Sequence, residues 1–233
     1  MTATIALSKP LLSQASSRLR SVDLTGPAGR LEAVVNEGSP DSPFAALVCH
    51  PHPLGGGNLH NKVVYHAMKV LNEPRWGFNW PVLRFNFRGA GTSDGAHDGE
   101  AEAGDVLAAL KWLHNEYQLP IVLAGFSFGA AMAIAACSGN RSANIRALVA
   151  LGLPTQNGER VYRYPALENL SLPKLFISGD HDQFAPAHLL TQIVASAADP
   201  KKLALIQGSD HFFTGHLTAM QKLLAVWLKE HTQ

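Results

Sequence analysis

The sequence predicts an α/β fold built on an eight-stranded, mostly parallel sheet with helices on both faces. Three observations carry this. Short, β-rich, nearly unbroken apolar runs recur along the chain, as expected of strands covered on both faces. Between most of them lie segments with apolar residues at three- and four-residue spacing. One junction, Ile121 to Ala124 followed by Gly-Phe-Ser-Phe-Gly and an alanine-rich run, places a serine on a sharp strand-to-helix turn.

The elements follow in order. Leu19 to Leu24 and Leu31 to Asn36 flank Gly-Pro-Ala-Gly and read as an opening antiparallel hairpin. Six further strands are expected at Phe44 to Cys49, Val82 to Phe87, Ile121 to Ala124, Ala147 to Leu151, Leu175 to Ser178 and Leu203 to Ile206. Helices are expected over Lys62 to Leu71, Glu100 to Tyr117, Phe128 to Ser138, Ala187 to Ala197 and Leu217 to Lys229. Strand and helix in alternation imply right-handed crossovers and a parallel sheet. The irregular stretch Gly152 to Pro173 is too short for an independent cap domain. Residues 1–18 read as an N-terminal extension and residues 19–233 as one domain, a normal size for an α/β unit.

Composition narrows the function. The 19 Lys+Arg against 18 Asp+Glu include no basic cluster of the kind that tracks a phosphate backbone, so neither nucleic acid nor an anionic membrane is an expected partner. No continuous apolar stretch reads as a secretory signal or a bilayer span. Cys49 and Cys137 fall in apolar segments and read as buried free thiols, which suits a reducing, cytoplasmic setting. Monomer and homodimer are both compatible with the sequence.

The chemistry centres on Ser127. A serine in Gly-x-Ser-x-Gly at this turn has a strained backbone and a hydroxyl held above the sheet, with Gly125 and Gly129 needed because strand and helix approach too closely for a β-carbon. Such a hydroxyl needs a base, and the base needs an orienting acid. In an open parallel sheet both come from loops at the carboxyl ends of later strands. Gly179-Asp180-His181-Asp182 and Gly208-Ser209-Asp210-His211 are those loops, and His211 competes as the base with His181 and with the pair His50 and His52. The residue after the nucleophile, Phe128, is the expected first oxyanion donor. Pro51 and Pro53 have no N–H, which leaves His52 and Leu54 for the second. His50, His52 and His60 lack an accompanying acidic or cysteine ligand at a recognised spacing, so no metal is expected. No dinucleotide or phosphate-loop fingerprint is present, and no cofactor is expected.

From about residue 30 onward the chain resembles the α/β-hydrolases, and among them the small lidless bacterial serine hydrolases near the dienelactone hydrolase group. The resemblance rests on the Gly-Phe-Ser-Phe-Gly elbow, the Gly-x-x-Asp-x-x-x-Pro loop, the Asp-His-Phe-Phe loop, and the runs from His50 to Gly57 and Asn86 to Ser93. It implies an α/β-hydrolase fold without a large cap. It also implies Asp182 rather than Asp180 as the acid, His211 as the base, and His52 as the second oxyanion donor. Asp210 reads as a turn or capping residue, and Arg88 as an ion-pairing or carbonyl-binding residue behind the site rather than a substrate clamp. Two departures stand out: dienelactone hydrolase uses a cysteine where Ser127 stands, and many relatives have Asp in place of Asn86. The expected activity is cleavage of an ester or thioester of a small acyl substrate through an acyl-enzyme, with a peptidase or amidase, or a silent binding protein, as rivals.

Overall fold

Strand β1 (Leu19–Gly26) turns through Pro27 and Ala28 into β2 (Gly29–Asn36), pairing Gly26 with Gly29 and Leu19 with Asn36 in antiparallel register. The computed structural model describes residues 18–138, 144–157 and 160–232, so the expected N-terminal extension lies, but for Arg18, outside the described residues. Beyond the hairpin come β3 (Ala45–Cys49), α1 (Lys62–Asn72), β4 (Val82–Phe85), α2 (Glu102–Tyr117), β5 (Ile121–Phe126), α3 (Phe128–Cys137) and β6 (Ile145–Leu151). Two short strands, β7 (Gln156–Asn157) and β8 (Arg160–Val161), precede β9 (Lys174–Gly179), α4 (Ala187–Ser196), β10 (Lys201–Ile206) and α5 (Leu217–His231).

The main sheet has eight strands in the order β1-β2-β4-β3-β5-β6-β9-β10. Only β2 runs against its neighbours; every pairing from β4 to β10 is parallel. Helices α2, α3 and α4 cover one face through Val106, Leu110, Ile134 and Val194. Helices α1 and α5 cover the other through Val64, Leu71, Leu224 and Trp227. Each large apolar side chain so buried contributes about 1.5–3 kcal/mol relative to exposure, which is why the inner strands need no polar face.

The differences from the sequence reading have local causes. Strand β4 stops at Phe85 because the N–H of Phe87 is taken by Nε2 of His50 at 3.0 Å instead of by a neighbouring strand. Helix α2 starts at Glu102, later than its apolar spacing implies, because the Asp98 carboxylate accepts the N–H groups of Glu100 and Ala101 at 2.8 Å each. Among the described residues, the stretch from Gly152 to Pro173 holds the paired strands β7 and β8 and a single turn at Pro165–Glu168, and no large cap. Asn86 suits its place: its Oδ1 accepts from Leu59 N–H while its Nδ2 donates to Glu32, both at 2.7 Å. An Asp there would set a second carboxylate against Glu32.

Candidate active site

Strand β5 delivers its last residue into a turn that only this sequence pattern tolerates. Ser127 sits at φ 54°, ψ −120°, a conformation that non-glycine residues rarely adopt, and Phe128 begins α3 immediately after it. A β-carbon on Gly125 would lie 2.3 Å from the carbonyl oxygen of Gly129, and one on Gly129 would lie 2.5 Å from those of Cys49 and His50. Only hydrogen fits at either position. Alanines along α3 let the helix lie this close to the sheet.

Strand β9 ends next to β10, and the loops that follow them meet above Ser127. His211 Nε2 is 2.9 Å from Ser127 Oγ, and its Nδ1 is 2.8 Å from Asp182 Oδ2. With Nδ1–H donated to the carboxylate, Nε2 is the acceptor for the serine hydroxyl. Asp182 is 2% exposed and His211 likewise, so the pair is shielded from water. The carboxylate is fully satisfied: Oδ1 accepts from the N–H groups of Phe184 (2.8 Å) and Ala185 (3.0 Å), and Oδ2 also accepts from Ser178 Oγ (3.0 Å). The rings of Phe126, Phe184 and Phe212 pack around the imidazole at centroid distances of 5.0, 4.7 and 5.2 Å.

The competing residues go elsewhere. Asp180 Oδ1 accepts from Gly208 N–H at 2.7 Å, and His181 is solvent-exposed beside it. Asp210 accepts from the N–H groups of Phe212 (3.1 Å) and Thr214 (2.8 Å), a turn-closing role. Arg88 forms a fork on Asp105, with contacts of 2.8 to 3.3 Å. His50 donates Nδ1–H to the Pro51 carbonyl at 2.6 Å while Nε2 accepts from Phe87, and burial pushes its pKa down to about 4. It is therefore a neutral tie between β4 and the loop after β3. Burial raises both thiols, Cys137 to about 12 and Cys49 above the usual range, so neither is an activated nucleophile. Among the described residues, no group of three or more His, Cys, Asp or Glu side chains is arranged to hold a metal ion.

A cleft of about 360 Å³ opens over Ser127. Its walls include His52, Leu54, Phe128, Tyr162, Phe184 and Phe212. Another cleft, of about 410 Å³, opens beside Trp80 and Lys229 and contains none of these residues. Phe128, Phe184 and Phe212 line the Ser127 cleft, while Phe126 and Phe213 are core. Both expected oxyanion donors border it. Phe128 occupies the first turn of α3, whose N–H groups the helix leaves unused. His52 opens a turn in which its carbonyl accepts from Gly55 (3.0 Å) and Gly57 (3.1 Å). Sequence reasoning missed Ser178, Gly152 and the wall formed by Pro154, Asn157 and Tyr162, whose roles depend on which loops the fold brings together.

Fold and site together define an α/β-hydrolase: residues 57–227 match the model of the alpha/beta hydrolase domain, and the chain belongs to that family. Its class is therefore that of a hydrolase. An uncharacterised protein of Rickettsia prowazekii is 36% identical over 197 residues, covering 81% of this chain and 79% of that protein. The crystal structure of a Xanthomonas campestris protein, described as an α/β serine hydrolase without lid, is 28% identical with a TM-score of 0.80, covering 92% of this chain and 95% of that one. An α/β serine hydrolase homologue from Coxiella burnetii is 30% identical with a TM-score of 0.77, covering 89% and 96%. Among the described residues no helix is long and apolar enough to cross a membrane.

Proposed function

We propose that this protein hydrolyses carboxylic esters or thioesters of small acyl substrates through an acyl-enzyme on Ser127. One observation carries the reading: His211 touches both the Ser127 hydroxyl and the Asp182 carboxylate at hydrogen-bond distance. In this mechanism Ser127 Oγ bonds to the substrate carbonyl as His211 Nε2 takes its proton, and the carbonyl oxygen becomes an oxyanion received by the N–H groups of Phe128 and His52. Collapse breaks the bond to the leaving group, which takes the proton back from His211. Water, deprotonated in turn by His211, then releases the acid and regenerates the serine. Asp182 orients the imidazole and stabilises its charged form without itself taking the proton. No cofactor enters any step. The buried, unpaired thiols support a cytoplasmic setting.

A series of p-nitrophenyl esters from acetate to decanoate, with fluorophosphonate labelling, tests this. The wild-type protein is expected to turn over esters and take the label, and Ser127→Ala to lose both. Persistent labelling of Ser127→Ala, or a wild-type protein neither labelled nor active, would overturn the proposal.

A further inference from the structure

Beside His52 and Phe128, a second buried acid and imidazole stand together. Glu102, the first residue of α2, is fully buried and accepts the N–H groups of Asp98 and Gly99 at 3.0 Å each. His97 Nδ1 lies 2.6 Å from Glu102 Oε1, and the two side chains are 9% and 0% exposed. The ring is turned out of hydrogen-bond alignment, so Nδ1 is a buried nitrogen without an aligned acceptor. Glu102 thus lies against one edge of the ring. The His97 ring in turn packs on two others: His52 at a centroid distance of 4.4 Å and Phe128 at 5.3 Å, which themselves meet at 5.1 Å. His52 and Phe128 line the Ser127 cleft; His97 does not.

We propose that His97, beside Glu102, is a positioning residue that holds both oxyanion donors through one three-ring contact. The inference rests on the acyl-hydrolase reading given above. His52 lies on the loop after β3 and Phe128 on α3, two segments far apart in sequence whose N–H groups must converge on one oxygen. Strands β3 and β5 pair as far as Cys49 and Gly125, and Gly129 lies against the Cys49 and His50 carbonyls, so the two backbones already run close up to this point. Beyond that point the shared packing against His97 holds the two residues in place, with the buried Glu102 carboxylate in contact with the far edge of the ring. Such a device acts on the developing oxyanion and leaves substrate binding in the ground state almost untouched.

The test uses the full chain, with steady-state kinetics on p-nitrophenyl butyrate and the affinity for a trifluoromethyl ketone, whose hemiketal with serine carries an oxyanion. His97→Ala is expected to lower kcat about tenfold to hundredfold with KM within about twofold, and to weaken the ketone in parallel with kcat. His97→Phe keeps a ring against His52 and Phe128 and is expected to recover kcat to within about threefold of wild type. Thermal melts set an assay temperature at which both variants are folded. An unchanged kcat in His97→Ala, a loss confined to KM, or a His97→Phe variant as impaired as His97→Ala would overturn the proposal. A wild-type protein that neither hydrolyses esters nor takes the fluorophosphonate would instead remove the acyl-hydrolase reading, and this inference with it.

Discussion

Gly152 backs directly onto the imidazole of His211: a β-carbon at Gly152 would meet Nδ1 and Cε1 of that ring at 3.2 Å each, and Phe126 at 3.0 Å. The glycine closes β6, holds φ +53°, and donates its N–H to the Ile177 carbonyl of β9 at 2.8 Å. It sets how far the His211 imidazole can sit from the Ser127 hydroxyl.

Gly152→Ala should therefore reduce both activity and stability. The new methyl group pushes the ring off its line to Ser127, and misplacement by a fraction of an ångström is expected to lower kcat about tenfold or more. The left-handed backbone adds a stability loss of about 1–3 kcal/mol. Kinetics on p-nitrophenyl butyrate beside a thermal melt would show this; a kcat equal to wild type would mean that the ring has room to move.

Ser178 shares Oδ2 of Asp182 with His211, so its hydroxyl helps to hold the carboxylate in place. Ser178→Ala is expected to lower kcat about tenfold to hundredfold, the range of one hydrogen bond to a charged group. Asp182→Asn should be far more severe, up to about ten-thousandfold, because the imidazole is then held in the wrong tautomer. Equal losses from the two substitutions would contradict this ranking.

His50 makes stability depend on acid. Burial lowers its pKa from 6.5 to about 4, so the unfolded chain binds a proton over that interval that the folded protein refuses. The contribution is complete above pH 6.5 and fades as pH falls toward 4, where about 3 kcal/mol is gone. Urea midpoints measured across this range should fall more steeply for wild type than for His50→Gln. Parallel pH profiles would show that another group controls the acid limb.

Much of this site was legible because its signals are local. The Gly-x-Ser-x-Gly turn fixes Ser127 through close approach at Gly125 and Gly129, and Asp182 and His211 follow strands recognisable from their apolar runs. The choice of Asp182 over Asp180 and of His211 over His181 came from family resemblance, since spacing alone did not separate them. Ser178, Gly152 and His97 gave no such signal. Their contacts depend on strand order and on which loops abut, and β4 lying outside β3 is not written in any periodicity. The paired strands β7 and β8 escaped notice because two-residue strands carry no alternation to detect. Helix α2 was misplaced at its start because the caps at Asp98 lie outside its apolar pattern.

The three groups that meet over the cleft hang from strands of unequal security. Ser127 is carried by β5, flanked on both sides, whereas His211 follows β10, a half-exposed strand with a single neighbour in the sheet. Peripheral strands open to solvent at lower free energy than central ones. Fraying that begins at this margin withdraws the imidazole while the elbow stays folded, so deuterium uptake along 201–206 is a gauge of how long the enzyme survives heating, ahead of any change in the body of the molecule.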